Sequence, residues 1–498
     1  MATSVDGMDA DSIFNAPCLG YGLEDILALP SASAASDNEV DMTTPLSRSV
    51  TIMSPFVSAP MDTVTEARMA IQCALMGGIG VIHCNCTPQE QAVQVDKVKK
   101  FESGFIMDPF VCGPNDTVET VDKIRLKHDV STVMICESGM MGNRLLGLVT
   151  SRDIDFVEDR TVKLSTVMTS KEKLVIAREP IGLSEAMKKL VESKKGKLPI
   201  LNEGNELVAV VMRSDLKKTK GYPKASVDAN RQLLVGAACP ALLREAPRVQ
   251  QLVEAGCDVL FLEASQGSTA EQAEFIRKLK KEYPVLEIVA GNVVTPKQAE
   301  PLIAAGADAL RVGMGNTSLN SLEEAVAIGR PQGSAVYHVA RYAAQFGIPV
   351  IADGGITSSS AASMALTLGA STFMCGGLLA GCTESPGDAF YHDGMRLKLY
   401  CGMGQLEVMP AQLETKKYSS GGENSGVKKI QGGSGCAVLD RGSMKPIMLT
   451  LLEGVKRDIK RLGTSKIEEL HADLYSMKTR FHLRSAMSFS AARHGGYA

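Results

Sequence analysis

Eight short apolar runs, each ending at a glycine or a polar cluster, restrict the fold of this chain more than any other feature. They are Thr51–Val57, Ile79–His83, Leu233–Ala237, Asp258–Glu263, Glu287–Ala290, Ala309–Val312, Pro349–Asp353 and Thr372–Cys375. Segments of helical period separate most of them. Three of these segments finish alike, as Glu254-Ala-Gly-Cys-Asp-Val, Ala304-Ala-Gly-Ala-Asp-Ala and Thr367-Leu-Gly-Ala-Ser-Thr. Gly256, Gly306 and Gly369 stand where a helix C-cap takes a left-handed residue, and a strand begins two or three residues later. One helix-to-strand connection, repeated, predicts an α/β chain folded as a (β/α)8 TIM barrel. A doubly wound sheet is the alternative, but it calls for a Gly-x-Gly-x-x-Gly turn after an early strand, and the sequence has none.

The gap between the second and third runs is too long for one helix. Residues 105–220 fill it with a doubled pattern. Asp108-Pro-Phe-Val-Cys112 leads to a helix candidate at Val118–Lys127, and Leu146-Gly-Leu-Val-Thr-Ser-Arg-Asp153 closes the first unit. Lys173-Leu-Val-Ile, a helix at Leu183–Ser193, Lys197-Leu-Pro-Ile and Val208-Ala-Val-Val-Met-Arg-Ser-Asp215 repeat it. The pair, 105–160 and 161–220, resembles the tandem CBS module, which binds adenine or guanine nucleotides between its halves. Asp153 and Asp215 read either as part of such a site or as plain helix caps. Residues 14–104 and 221–498 are left to the barrel, and residues 1–13 read as a flexible acidic tail.

The 45% hydrophobic and 22% charged composition is that of an ordinary globular chain. A formal net charge of −3 leaves no basic footprint for nucleic acid. No apolar run approaches a membrane span, and the N-terminus lacks a signal-peptide pattern, so a cytoplasmic location is expected. The 12 cysteines include no Cys-x-x-Cys pair, and Cys84-Asn-Cys86 is poorly spaced for a bridge or for zinc. Buried reduced thiols are the expectation.

Asp353-Gly-Gly355 ends the seventh run and Cys375-Gly-Gly377 the eighth. In a barrel, the loops after these strands commonly cradle a phosphate, and an adjacent carboxylate suits a ribose diol. Farther on, the glycine- and lysine-rich stretch Gly402–Gly435 has little periodicity. It predicts a mobile flap, placed at residues 405–430, over a site that must exclude water.

Six stretches now identify a family. Ser58-Ala-Pro-Met-Asp-Thr-Val-Thr-Glu66, Gly291-Asn-Val-Val-Thr, Arg311-Val-Gly-Met-Gly, Gly329-Arg-Pro-Gln-Gly, Ile351-Ala-Asp-Gly-Gly-Ile and Tyr400-Cys-Gly-Met-Gly404 resemble IMP dehydrogenase almost verbatim. The likeness runs from about Phe14 to Arg484. GMP reductase is a close relative, but the inserted pair and the flap favour the dehydrogenase.

The resemblance implies oxidation of IMP to XMP. A cysteine thiolate adds to the purine, hydride passes to NAD, and an Arg-Tyr pair on the flap activates water to release the product. By motif, IMP would meet Met61, Ser318, Asp353, Gly354, Gly355, Gly376, Gly377, Tyr400, Gly402, Met403, Gly404 and Gln431. The NAD side would involve Glu263, Ser265, Asn292, Arg311, Gly313 and Gly315. A potassium ion would take Gly313, Gly315 and residue 320. Family barrels assemble as tetramers, so a homo-tetramer, or a hetero-oligomer with an active paralogue, is expected.

The departures gather at the chemistry. Asn320 stands where the family has its cysteine, and Leu322 replaces a threonine that serves the same step. Glu263 replaces an aspartate, while Ala59 and Gly377 replace phosphate-side serines. Lys417-Tyr418 stands for the flap's Arg-Tyr. The Glu-Gly-Gly of the potassium site is not recognisable before Gly495-Gly496. An amide is neither nucleophilic nor ionisable near pH 7, and loss of a covalent nucleophile typically costs about 10⁴ to 10⁶ in rate. Two expectations stay open: a purine-nucleotide-binding chain with little or no dehydrogenase activity, or a working dehydrogenase using altered chemistry.

Overall fold

The computed structural model describes residues 7–15, 19–31, 40–101, 105–106, 109–128, 132–181, 183–212, 222–264, 266–315, 328–392, 394–400 and 436–485. It separates into two compact units. One comprises Met1–Val98 with Leu234–Ala498, the other Lys99–Leu233.

The first unit is a closed (β/α)8 barrel. Its strands are β1 (Phe56–Ser58), β2 (Ile79–Ile82), β3 (Val235–Pro240), β4 (Val259–Glu263), β5 (Glu287–Val293), β6 (Ala309–Val312), β7 (Val350–Asp353) and β8 (Thr372–Cys375). Neighbours pair in parallel, and β8 joins β1 with Phe373 opposite Phe56. All eight apolar runs become barrel strands, with one correction. The Thr51–Val57 run divides at Pro55. Thr51–Ile52 pairs with Thr44–Pro45 instead, and only Phe56 onward enters the barrel.

Val57, Val81, Ala238, Val259, Phe261, Val289, Ala309, Ile351 and Met374 fill the interior. Gly236 makes room for Phe261, whose ring would lie 2.9 Å from a Cβ there. The small hairpin sets Leu46 and Ile52 under this core, both fully buried. Beside it, Glu287, the first residue of β5, accepts from the Ser49 amide at 3.1 Å. The hairpin therefore seals the end of the barrel where β5 begins, leaving the opposite end for a site.

The repeated connection is a Schellman cap. At Gly256, Gly306 and Gly369, φ is +86°, +104° and +104°. The following residue's amide reaches back five positions, as in Cys257 to the Leu252 carbonyl at 2.9 Å. Gly77 and Gly347 make the same pair of bonds, although their flanking sequences do not repeat the pattern.

The expected tail needs correction for residues 7–13. Asp9 caps the helix Ala10–Phe14, and Ala10, Ile13 and Phe14 are buried. Phe14 stacks on Tyr337 at 4.5 Å, the Tyr337 hydroxyl donates to Asp11 at 2.7 Å, and Arg341 pairs with the same carboxylate. Asp11 thus has cationic and hydroxyl partners on the helix Gln332–Ala344, and Asp9 pairs with Arg480 at 3.7 Å.

The second unit encloses the expected 105–220 insert. It holds two four-stranded sheets of like build. The first orders Thr169–Ser170, Leu145–Thr150, Thr132–Cys136 and Val111–Cys112; the second orders Ala177–Arg178, Lys197–Leu201, Leu207–Met212 and Phe105–Ile106. Each sheet thus takes an edge strand from the segment that precedes the other repeat. Met134, Cys136, Leu145 and Leu148 of one half share a core with Leu201, Leu207, Val210 and Met212 of the other. Lys173-Leu-Val-Ile, which opens the second repeat, is not itself a strand: a 3-10 turn spans Lys171–Lys173 and the strand starts at Ala177. Lys99 closes the unit, bonding Asp228 at 2.9 Å and the Leu233 carbonyl at 3.3 Å.

Candidate functional site

The C-terminal ends of the strands carry a buried ionic network. Arg311 is the third residue of β6, Asp353 ends β7, Glu263 ends β4, and Asn292 lies near the end of β5. Arg311 Nε donates to Asp353 Oδ2 at 2.8 Å, and its Nη1 donates to Glu263 Oε1. Asn292 Nδ2 donates to Asp353 Oδ2 at 2.9 Å and to the Gly313 carbonyl at 2.8 Å. The Arg311 and Glu263 side chains are each 11% exposed. Burial opposes the guanidinium's charge, but Asp353 and Glu263 outweigh it and hold its pKa above the ordinary value. One cation serves two carboxylates, so Glu263 is left short: burial raises its pKa despite Arg311. Its second oxygen is buried with no hydrogen-bond partner among the described residues.

Gly313 is held where no other residue fits. Its φ is +148°, and a Cβ would collide with the Asp353 carbonyl. Behind it, Gln332 donates to the Val312 carbonyl at 2.8 Å and is 2% exposed. Gln272 does the same for the Gly291 carbonyl at 3.1 Å, and Gln91 for that of Ala238 at 2.7 Å. These buried glutamines brace strand ends at the mouth. No local pattern marks them in sequence, since a glutamine early in a helix usually faces water.

A second group forms at the end of β8. A Cβ at Gly376 would lie 3.0 Å from the Tyr400 hydroxyl, 3.2 Å from the Met61 sulfur and 3.6 Å from Ala59. A side chain there would press on the Tyr400 hydroxyl and the Met61 sulfur. Gly377 opens the short helix Gly377–Ala380. Gly354 and Gly355 both take positive φ, +99° and +74°. Gly315 packs against Gly329, and Arg330 donates its amide to the Met314 carbonyl at 3.2 Å. The chain between Gly315 and Gly329 therefore leaves and returns at one place.

Ser265, Ser318, Asn320, Leu322, Cys401, Gly402, Met403, Gly404, Lys417, Tyr418 and Gln431 lie outside the described residues, as does Asp215. Asp153 is described. It takes the third helical position after Thr150, accepting from that residue's amide and hydroxyl, each at 2.7 Å. Its carboxylate closes a capping box.

Among the described residues no nearby thiol offers a substitute nucleophile. Burial pushes Cys84 and Cys382 up to about 12 and Cys86 up to about 11, and drives Cys375 upward as well. At a pKa near 12, only about one thiol in 10⁵ is ionised at neutral pH. Among the described residues no cluster of His, Cys, Asp and Glu is fit to hold a metal, and no helix is long and apolar enough to cross a membrane.

Comparison with known proteins agrees with this geometry. Residues 20–493 match the family described as IMP dehydrogenase / GMP reductase domain. An inosine-5'-monophosphate dehydrogenase from Toxoplasma gondii is 42% identical, over 98% of this chain and 97% of its own length. A crystal structure of a GMP reductase variant from Trypanosoma brucei with guanosine 5'-monophosphate superposes at a TM-score of 0.84, with 31% identity over 97% of this chain and 99% of that one. A GMP reductase from Trypanosoma brucei with guanosine 5'-triphosphate gives 0.77, at 29% identity over 95% of this chain and 99% of that one. Coverage so complete leaves no room for a missing insert, so the insert does not by itself separate dehydrogenase from reductase. The chain belongs to the IMP dehydrogenase / GMP reductase family.

Proposed function

We propose that this chain binds a purine nucleoside monophosphate, IMP or GMP, at the mouth of the barrel and dehydrogenates it slowly or not at all. Asn320, at the family's nucleophile position, is the observation that carries the proposal. An amide forms no covalent adduct with the purine, and Cys84, Cys86, Cys375 and Cys382 are held protonated by burial. The binding scaffold supports the other half. Asp353 is fixed by Arg311 and Asn292, with its remaining acceptor capacity suited to the ribose diol. Gly376, Met61 and Tyr400 converge where phosphate and base would lie. Loss of serine hydroxyls at Ala59 and Gly377 removes two hydrogen bonds, each worth about 1 kcal/mol, which weakens binding by tens of fold without abolishing it.

NAD fits in one respect: the unpartnered Glu263 oxygen is a buried acceptor for an amide N–H such as that of a nicotinamide. Bound there, NAD would supply a hydride acceptor, held by Glu263, Asn292, Arg311, Gly313 and Gly315. Potassium fits less well, because the Gly313 carbonyl already accepts the Asn292 amide, so no step is assigned to it. The second unit supports a further part of the proposal: its exchanged double sheet suits a tandem CBS module that binds adenine or guanine nucleotides. Assembly as a tetramer, alone or with an active paralogue, is the proposed route by which such a chain would influence purine metabolism.

The test combines purified protein with IMP and NAD. NADH formation should stay below about a ten-thousandth of a family-typical rate, while calorimetry detects IMP or GMP binding. Turnover near that family rate would establish the altered-chemistry alternative. Absence of binding at millimolar nucleotide would remove the site.

A further inference from the structure

The strand Met395–Tyr400 buries a lysine that the site as described does not use. Lys398 is 4% exposed. Its ammonium donates to the Cys382 carbonyl at 2.6 Å and to the Ser385 carbonyl at 2.8 Å. Ser385, also buried, has its hydroxyl within reach of the Ala380 carbonyl at 2.6 Å and the Cys382 carbonyl at 2.8 Å, and donates its one proton to either. These carbonyls belong to the end of the helix Gly377–Ala380 and the turn after it, where backbone acceptors lack helical partners. A cation is the favourable occupant of a helix's carbonyl end.

Lys398 and Tyr400 are two residues apart on one strand, so their side chains share a face, and both are buried. The lysine grips the carbonyl end of the turn, and the tyrosine hydroxyl lies against Gly376 at its amide end. One strand thus spans the turn. Burying an ammonium is costly unless its protons are bonded, and an apolar side chain would fill the same space without that cost. The charge is therefore explained by what it holds.

We propose that Lys398 is a positioning residue: it clamps the turn Gly376–Ser385 from behind, so that the turn's amide end stays presented to the nucleotide phosphate. This rests on the phosphate lying at Gly376-Gly377, as proposed above.

The experiment titrates IMP into the full chain and its Lys398→Met, Lys398→Arg and Ser385→Ala variants by calorimetry, and follows hydrogen exchange over residues 376–388. Lys398→Met keeps a similar stem and drops the ammonium. It should weaken IMP binding about tenfold or more and speed exchange in the turn, with the barrel strands unchanged. Lys398→Arg should recover affinity to within about threefold, and Ser385→Ala should cost about threefold. Unchanged IMP affinity in Lys398→Met, or a loss that arginine does not recover, overturns the proposal. Should Lys398→Met fail to fold, Ser385→Ala decides, and wild-type affinity there overturns it. A wild-type chain that binds no IMP defeats the nucleotide site itself. Exchange in the turn then still shows whether Lys398 clamps it, and unaltered exchange in Lys398→Met refutes that too.

Discussion

Replacing Arg311 by methionine would test the buried network, because the stem keeps its packing while two carboxylates lose the cation that bonds them both. The Glu263 and Asp353 side chains are 11% and 16% exposed, so water replaces little of the lost charge. Breaking a buried pair by removing one partner costs about 3 to 5 kcal/mol. That cost depends on pH. A carboxyl whose folded pKa is raised binds its proton more tightly folded than unfolded. Its contribution to stability is fully present below the unfolded value of 4.5 and is lost as pH rises through the folded one. Glu263 is already raised in the wild type, and removing Arg311, which lowers its pKa, raises it further. As pH falls the raised Glu263 carboxyl takes up a proton more readily in the variant, so at pH 5 the cost moves toward the loss of hydrogen bonds alone, about 1 to 2 kcal/mol. At pH 8 the carboxylates are charged and the variant bears the full cost. Scanning calorimetry should show the barrel transition falling by about 6 to 10 °C at pH 8 and about 2 to 4 °C at pH 5, at about 2 °C per kcal/mol for a domain this large. Adding Glu263→Gln should remove most of the pH dependence. An equal drop at both pH values, or a larger one at pH 5, would refute the charge argument.

Gly313→Ala should destabilise the barrel by more than about 2 kcal/mol, because its Cβ collides with the Asp353 backbone, and IMP affinity should fall with it; a silent alanine in both melting and calorimetry would show that the two strand ends move freely. Asn320→Cys should yield a small NADH burst with IMP and NAD and a protein–nucleotide adduct visible by intact mass, since under the proposed function hydrolysis would call on Lys417, and an ordinary lysine is neutral in only about one molecule in a thousand near pH 7.4. Adding Leu322→Thr should enlarge that burst and Lys417→Arg should speed adduct decay, whereas no burst and no adduct would mean that the pocket has decayed. GTP or ATP at about 100 times its dissociation constant should stabilise the Lys99–Leu233 unit by about 2.7 kcal/mol. If no nucleotide moves the melting of the full chain, Asp153 serves only the capping box with Thr150.

The barrel's strands were legible because the signals that make them are local. Each apolar run and each Schellman glycine draws on residues within five positions, a span over which sequence alone supplies the partners. Family motifs were legible for a related reason, since short glycine-rich turns require particular residue types wherever they occur. The same locality explains the failures. Pro55 divided a run that looked continuous, and Asp11 seemed solvated because Arg341 and Tyr337 stand more than three hundred residues away. Arg311 and Glu263 were named as neighbours of one ligand, but their mutual bond spans 48 positions and exists only once β4 and β6 take their places in the closed barrel. Nothing local marks Lys398 or the bracing glutamines, which closure buries against carbonyls of a turn and of strand ends. Which segments become strands is settled by local backbone and side-chain preference. Which charges meet, and what it costs to separate them, is settled by burial, and burial belongs to the tertiary structure.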